Sequence, residues 1–258
     1  MVRSLLFVPA KEKFLNKISS LNSDGFIIDL EDSIKGEDKE TALKVLCDFL
    51  NRNDVTSGLY VRINKDRFQN EVTTLNQYGV GFMLPKFEKI EDYQNSTDIW
   101  EKHEIIALIE TPLGLVNASS IAACPWIDGL AFGAEDFTAS INMENRSDLL
   151  LSYKSMLVLQ AKACSKKIFD TPSFNILNQT DFEKDVEQSV SLGFDGKMLI
   201  HPSHIEYINT LFGKIDLDYL EYVISEYEKS GEAVVIVDGK VYEKMHINRM
   251  KKILRENK

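Results

Sequence analysis

Cysteine is scarce. Cys47, Cys124 and Cys164 are odd in number and far apart, so they form neither a disulfide framework nor a CxxC metal motif. A reducing, cytoplasmic setting is the expectation, with each cysteine a small core residue. Long apolar runs are missing too: the opening stretch MVRSLLFVPAKEKF is apolar only from Leu5 to Ala10, too short for a signal core or a membrane span, and reads as a first strand. Positive charge is in deficit, with 30 Lys and Arg against 40 Asp and Glu and a formal net charge of −10. Neither nucleic acid nor a membrane surface is therefore expected as a partner. No GxGxxG follows the first strand, where LLFVPAKEKF offers proline and lysine, and this argues against an open dinucleotide-binding sheet. Internal repeats and low-complexity linkers are also lacking.

What is present is enough apolar material, 44% of 258 residues, to build a full core. It comes in eight short runs: SLLFVPA, GFIIDLED, GLYVRIN, VGFMLPK, EIIALIET, DGLAFGAED, KKIFDTPS and GFDGKMLIHP. Most are too continuously apolar to have a wet face, and segments such as KETALKVLCDFLNRN between them carry apolar residues at helical spacing. This alternation predicts an α/β fold, a TIM (β/α)8 barrel over residues 1–212, with a C-terminal helical extension over 213–258, two helices around a short β-like EAVVIVDGKVYEK, that caps the barrel or reaches another subunit.

In such a barrel the chemistry sits where strands end. Those ends are polar here: Asp29, Glu31 and Asp32; Arg62 and Asn64; Lys86; Glu110 and Thr111; Glu135 and Asp136; Asp170; Lys197 and His201. Carboxylates from the second, fifth and sixth strands would converge on one mouth and repel, which a divalent cation would relieve. No histidine or cysteine pair has zinc spacing, and an all-oxygen donor set favours a hard ion such as Mg²⁺, with Glu110 and Asp136 the natural pair. Arg62 offers a planar fork for a substrate carboxylate. Gly133 lets a ligand come close, and the amides of Ala134, Glu135 and Asp136 can bind a carboxylate oxygen. A metal beside carboxylate clamps suggests an α-keto or α-hydroxy acid.

RSLLFVPA, IIDLEDS, VRIN, LPKFEK, IETPLGL, GLAFGAEDF and GFDGKMLIHPSHI stand in an order and spacing that resembles the citrate lyase β-subunit family of the larger aldolase and citrate lyase group. The resemblance implies a Mg²⁺-dependent barrel that makes or breaks a carbon–carbon bond between an acyl thioester and an α-keto acid. It implies Glu110 and Asp136 as metal ligands, Arg62 as the keto-acid anchor, and Asp29, Glu31 and Asp32 as an acidic cluster that orders metal-bound water and steers Arg62. The thioester carrier would be coenzyme A or acyl carrier protein, and the assembly a homotrimer or hexamer. Relatives place a C-terminal aspartate from the pattern G-x-M-I-D-x-P in a neighbouring subunit's site; here DGKVYEKM puts Glu243 at that position. Asp32 stands where pyruvate aldolases of the wider group have a histidine base, which turns the expectation away from direct aldol chemistry on free pyruvate. The same fold run as a malate-type synthase or thioesterase, and a non-catalytic keto-acid or metal-binding accessory protein, are the alternative readings. Lys86 and Lys197 are expected as counter-ions to the acidic mouth, and His201 as a hydrogen-bonding group within it.

Overall fold

Eight strands pair in parallel, each with the next: β1 (Ser4–Pro9), β2 (Gly25–Asp29), β3 (Leu59–Arg62), β4 (Gly81–Leu84), β5 (Ile105–Ile109), β6 (Gly129–Phe132), β7 (Lys167–Asp170) and β8 (Gly196–Leu199). β8 closes on β1, giving the (β/α)8 barrel that the apolar runs predict. The computed structural model describes residues 2–53, 58–93, 96–174, 176, 178–213 and 216–256. Within residues 1–213, which form one compact unit, the helices are α1 (Glu12–Leu15), α2 (Lys39–Arg52), α3 (Phe68–Leu75), α4 (Thr97–Trp100), α5 (Pro112–Ala123), α6 (Ala134–Ser140), α7 (Ser147–Ala163), α8 (Gln179–Leu192) and α9 (Ile205–Gly213). No helix among the described residues is long and apolar enough to cross a membrane.

Alternation along each strand decides what fills the barrel and what faces the helices. Leu5, Ile27, Tyr60, Met83, Ile106, Leu108, Ala131, Phe169 and Met198 form the interior cluster. Their strand neighbours, among them Leu6, Ile28, Val61, Phe82, Ala107, Leu130, Ile168 and Leu199, belong to the sheet–helix core. Helical periodicity supplies the other side of that core: Ala42, Leu43, Leu46 and Leu50 are the buried residues of α2. Truncating fully buried Leu46 to alanine is expected to cost about 2–5 kcal/mol.

Local chemistry sets the helix ends. Thr111 caps α5, its hydroxyl accepting from Gly114 N at 3.1 Å, with Pro112 next in line. Thr111 therefore serves the helix, and Gly114 allows close approach to Phe87, whose carbonyl oxygen would be 2.5 Å from an added Cβ.

Residues 214–258 form a second compact unit. It comprises α10 (Leu217–Ser230), an antiparallel pair of β9 (Val234–Val237) and β10 (Lys240–Glu243), and α11 (Lys244–Glu256), with Val223, Ile224, Val237, Tyr242 and Ile247 buried together. The extension is thus a helix–hairpin–helix, with the β-like stretch EAVVIVDGKVYEK forming the hairpin between the two helices. Asp238 and Gly239, at φ +49° and +76°, make the two-residue turn whose left-handed backbone matches the twist of a hairpin.

Candidate active site

The mouth of the barrel follows from the same alternation, carried past the strand ends. Asp29 and Arg62 both continue the inward-facing series of their strands, after Ile27 and Tyr60, and they are direct partners across β2 and β3. Arg62 donates from Nε to Asp29 Oδ1 at 2.8 Å and from Nη2 to Oδ2 at 2.9 Å, a buried bidentate pair. Burial alone would raise the Asp29 carboxyl, but Arg62's hydrogen bonds and charge outweigh it and hold the group below the usual carboxylate range. Burial likewise opposes the Arg62 charge, and Asp29 restores it. The guanidinium also lies over the Phe7 ring, 5.0 Å from its centroid.

The third corner of Arg62 meets the loop after β2. Nη1 stands 2.9 Å from Asp32 Oδ2 and 3.2 Å from Glu31 Oε2. Glu31 Oε2 is buried without a hydrogen-bond partner. Burial pushes the Glu31 carboxyl up to about 7; Arg62 opposes the shift and Asp32 adds to it.

Glu110, two residues beyond Leu108 in β5's inward series, is only 3% exposed. Burial pushes it up to about 8, against Arg62 and with Glu31 and Asp136. Its Oε2 accepts from Lys86 N at 2.9 Å. Lys86 is in the left-handed region at φ +46°, uncommon for a residue with a side chain. That backbone delivers its N–H to Glu110, while Nζ sits 3.9 Å from Asp136 Oδ2 and 4.0 Å from Glu31 Oε1. Lys86 is accordingly a counter-ion to the acidic mouth.

The sixth strand ends earlier than its apolar run suggests. β6 stops at Phe132, Gly133 is the N-cap of α6, and Glu135 and Asp136 lie in that helix's first turn rather than on a strand end. The reason is local: carboxylates favour the first turn of a helix, where backbone N–H groups are unpaired. Gly133 has φ −99°, so glycine is required there for space rather than for a turn. An added Cβ would meet Glu110 Cγ at 2.5 Å. The Ala134 amide is already taken, donating to Thr171 Oγ1 at 3.2 Å. Glu135 accepts from Asn145 Nδ2 at 2.6 Å, while Asp136 borders the cavity beside Lys86.

A cavity of ≈ 440 Å³ gathers Asp29, Asp32, Arg62, Glu110 and the Gly133–Asp136 segment, with Phe7, Leu108, Met198 and Ile200 as apolar wall. Among the described residues no three His, Cys, Asp or Glu side chains are grouped so as to hold a metal by themselves. An ion here would take two protein carboxylates and draw its other oxygens from water and substrate, which suits Mg²⁺. Glu110 fits that use: a buried carboxylate raised by desolvation is one that a cation would stabilise.

Two strand-end charges do not join the mouth. Asp170 and Lys197 have the opposite parity from Phe169 and Met198 and point toward the helices. Asp170 Oδ2 accepts from Lys154 Nζ and Lys197 Nζ, both at 2.9 Å, and from Ser189, and Lys197 also pairs with Asp185 at 2.9 Å. Lys197 is therefore part of a buried ion cluster between sheet and helices, not a counter-ion to the mouth. Asn64 is likewise structural, its amide groups donating to Glu71 and to Leu30 O. His201 bonds locally with Ser203 at 2.7 Å, and His204 stacks on Phe182. Glu243 belongs to the second unit, where it ends β10 as an exposed residue whose N–H donates to His246 Nδ1 at 3.0 Å. Phe7 and Thr171 are mouth residues that strand-end polarity missed; counting by twos from the apolar interior finds both.

Fold and mouth together define a parallel (β/α)8 barrel with an arginine-anchored, carboxylate-rich site at the C-terminal ends of its strands. The chain belongs to the HpcH/HpaI aldolase/citrate lyase family, whose profile matches residues 3–202. It is similar to a (3S)-malyl-CoA thioesterase of Cereibacter sphaeroides, at 30% identity over 258 aligned residues covering 95% of this chain and 90% of that protein. A citrate lyase subunit beta of Haemophilus influenzae is 30% identical, with 99% of this chain and 97% of that one covered. Among solved structures, a citrate lyase beta subunit from Mycobacterium tuberculosis complexed with oxaloacetate and magnesium superposes with a TM-score of 0.72 at 26% identity, covering 82% of this chain and 96% of that one.

Proposed function

We propose that the protein is a Mg²⁺-dependent carbon–carbon lyase that splits a β-hydroxyacyl thioester of the citryl, malyl or citramalyl type into an acyl thioester and an α-keto acid such as oxaloacetate, pyruvate or glyoxylate. The observation that carries this reading is a fixed guanidinium and a buried carboxylate, Arg62 and Glu110, lining one cavity together with Asp136. Glu110 and Asp136 would hold the ion, which when bound supplies Lewis acidity to a substrate hydroxyl or keto oxygen.

The chain's own groups do the rest. Asp29 keeps Arg62 charged and oriented, so that the guanidinium itself is already in place for the substrate carboxylate. The N–H groups of Glu135 and Asp136, in the first turn of α6, would add donors for it. Phe7, Leu108, Met198 and Ile200 exclude water from the reacting carbon. In cleavage the hydroxyl loses its proton and becomes the keto oxygen. The carbon–carbon bond breaks with its electron pair to the thioester α-carbon, which takes up a proton to give the acyl thioester.

Glu243 is assigned the acid/base role in a neighbouring copy's mouth, in a trimer or hexamer. Its support is the hairpin: Glu243 pairs with Val234, and Ile236 with Val241, so one face carries Glu243 beside three exposed aliphatic residues suited to cover by a partner. The thioester arrives on coenzyme A or acyl carrier protein.

The similarity to a (3S)-malyl-CoA thioesterase favours a second reading, hydrolysis of the thioester on the same site. Product analysis on malyl-, citramalyl- and citryl-thioesters separates the two. Lyase action gives keto acid and retains the thioester, whereas hydrolysis gives the hydroxy acid and a free thiol. No turnover of any member on either carrier, with keto-acid binding intact, would replace both readings with an accessory binding protein.

A further inference from the structure

Three carboxylates surround Arg62, and they differ in how easily they can leave. Asp29 holds two edges of the guanidinium with both partners nearly buried, side chains 5% and 10% exposed. Glu31 is buried on the third side and is not in hydrogen-bonding geometry with it. Asp32 is the exception. Its Oδ2 is 2.9 Å from Nη1 while its side chain is 59% exposed.

The backbone beneath Asp32 is pinned by the same carboxylate that grips Arg62. Asp29 Oδ1 accepts from Glu31 N and Oδ2 from Ser33 N, both at 3.0 Å, so the residues on either side of Asp32 are fixed. What remains free is the Asp32 side chain. Asp32, Arg62 and Glu110 line the same cavity, and Asp29 takes Nε and Nη2, which leaves Nη1 as the nitrogen for a ligand carboxylate.

We infer that Asp32 is a tethered competitor for the carboxylate seat on Arg62: it occupies Nη1, gives way when a keto-acid carboxylate binds, and returns to displace that carboxylate as product. The inference rests on the proposed function, since it needs Arg62 to be the keto-acid anchor. A carboxylate tethered one residue from a fixed point competes at an effective concentration in the millimolar range, enough to weaken a small anion's binding. A rotamer change suffices to release it, far faster than turnover. Asp32 in this role acts through Arg62 on product release: by holding affinity down it lets the keto acid leave.

The test is calorimetric titration of oxaloacetate into the full-length protein at fixed Mg²⁺. Wild type is compared with Asp32→Asn, Asp32→Glu, Glu135→Gln and Arg62→Lys. Asp32→Asn is expected to tighten oxaloacetate about fivefold or more, by removing both the competitor and its charge. Asp32→Glu, which keeps a carboxylate in reach, stays near wild type. Glu135→Gln controls for loss of charge alone, because it keeps the backbone N–H offered to the substrate and alters only a side chain that bonds Asn145 rather than Arg62; it is expected to change affinity less than about twofold. In turnover, Asp32→Asn shows slower keto-acid release with a lowered KM. Equal or weaker binding by Asp32→Asn, or an equal gain from Glu135→Gln, overturns the competitor. If that happens while Arg62→Lys still weakens binding, the anchor stands and only the competitor falls; if Arg62→Lys has no effect, the anchor and the proposed function's geometry fall with it.

Discussion

Gly133 exists to make room for Glu110. A Cβ at position 133 would lie 2.5 Å from Glu110 Cγ, 2.8 Å from its Oε1 and 3.1 Å from its Cδ, while the backbone there is one that any residue adopts. Glu110 is buried, so its carboxylate has little space to retreat into. Gly133→Ala is therefore expected to shift the Glu110 carboxylate by a fraction of an ångström to an ångström. The consequence is a fall in kcat/KM of about 100-fold and weaker Mg²⁺ binding, with a stability loss of only about 1–3 kcal/mol. Parallel assays of activity and urea denaturation check it.

Arg62→Lys retains the charge and loses the fork. Asp29 then keeps at most part of its bidentate partner, and the cavity loses the planar donors that a carboxylate matches. The dissociation constant for a keto acid is expected to rise about tenfold or more, while Mg²⁺ binding through Glu110 and Asp136 changes far less. Titrating each ligand separately distinguishes these effects.

The buried cluster behind β7 and β8 makes a stability prediction independent of function. Burial opposes the Asp170 charge, but Lys197 and Lys154 outweigh it and hold the carboxyl well below its usual value. A depressed carboxylate stabilises the fold above its unfolded pKa near 3.8, and that contribution is lost as pH falls toward the folded value. Asp170→Asn leaves Lys154 and Lys197 facing Asp185 alone and is expected to cost about 3–5 kcal/mol at pH 7. The gap between variant and wild type should narrow below about pH 4, as followed by urea denaturation across pH.

The eight strands were legible in the sequence because a strand buried on both faces has no polar alternation to blur it, as in IIALI of β5. The mouth of the barrel was partly legible. Asp29, Arg62 and Glu110 stood out as charges ending apolar runs, and they share the cavity. Asp170 and Lys197 looked the same and do not, because strand-end polarity ignores which face a residue is on; their parity against Phe169 and Met198 was the missing signal. The end of β6 was hidden because GLAFGA stays apolar through the switch from strand to helix. The hairpin in the second unit was legible as the β-like stretch EAVVIVDGKVYEK, with Asp238-Gly239 between its two β-branched runs as the turn signal. Interactions between distant segments, such as Lys86 N on Glu110 or Asp32 on Arg62, leave no mark on sequence spacing at all.

Under the proposed function, Asp136 together with Glu110 holds Mg²⁺ for a keto acid seated on Arg62. The most direct measurement is the thermal midpoint with Mg²⁺ plus oxaloacetate, in wild type, Glu135→Gln and Asp136→Asn. At about 100 times the dissociation constant, binding adds about 2.7 kcal/mol, which for a chain of this size raises the midpoint by about 5 °C or more. That rise is expected in wild type and Glu135→Gln, with its loss on adding chelator and its absence in Asp136→Asn. No shift in wild type, or an undiminished shift in Asp136→Asn, would contradict it.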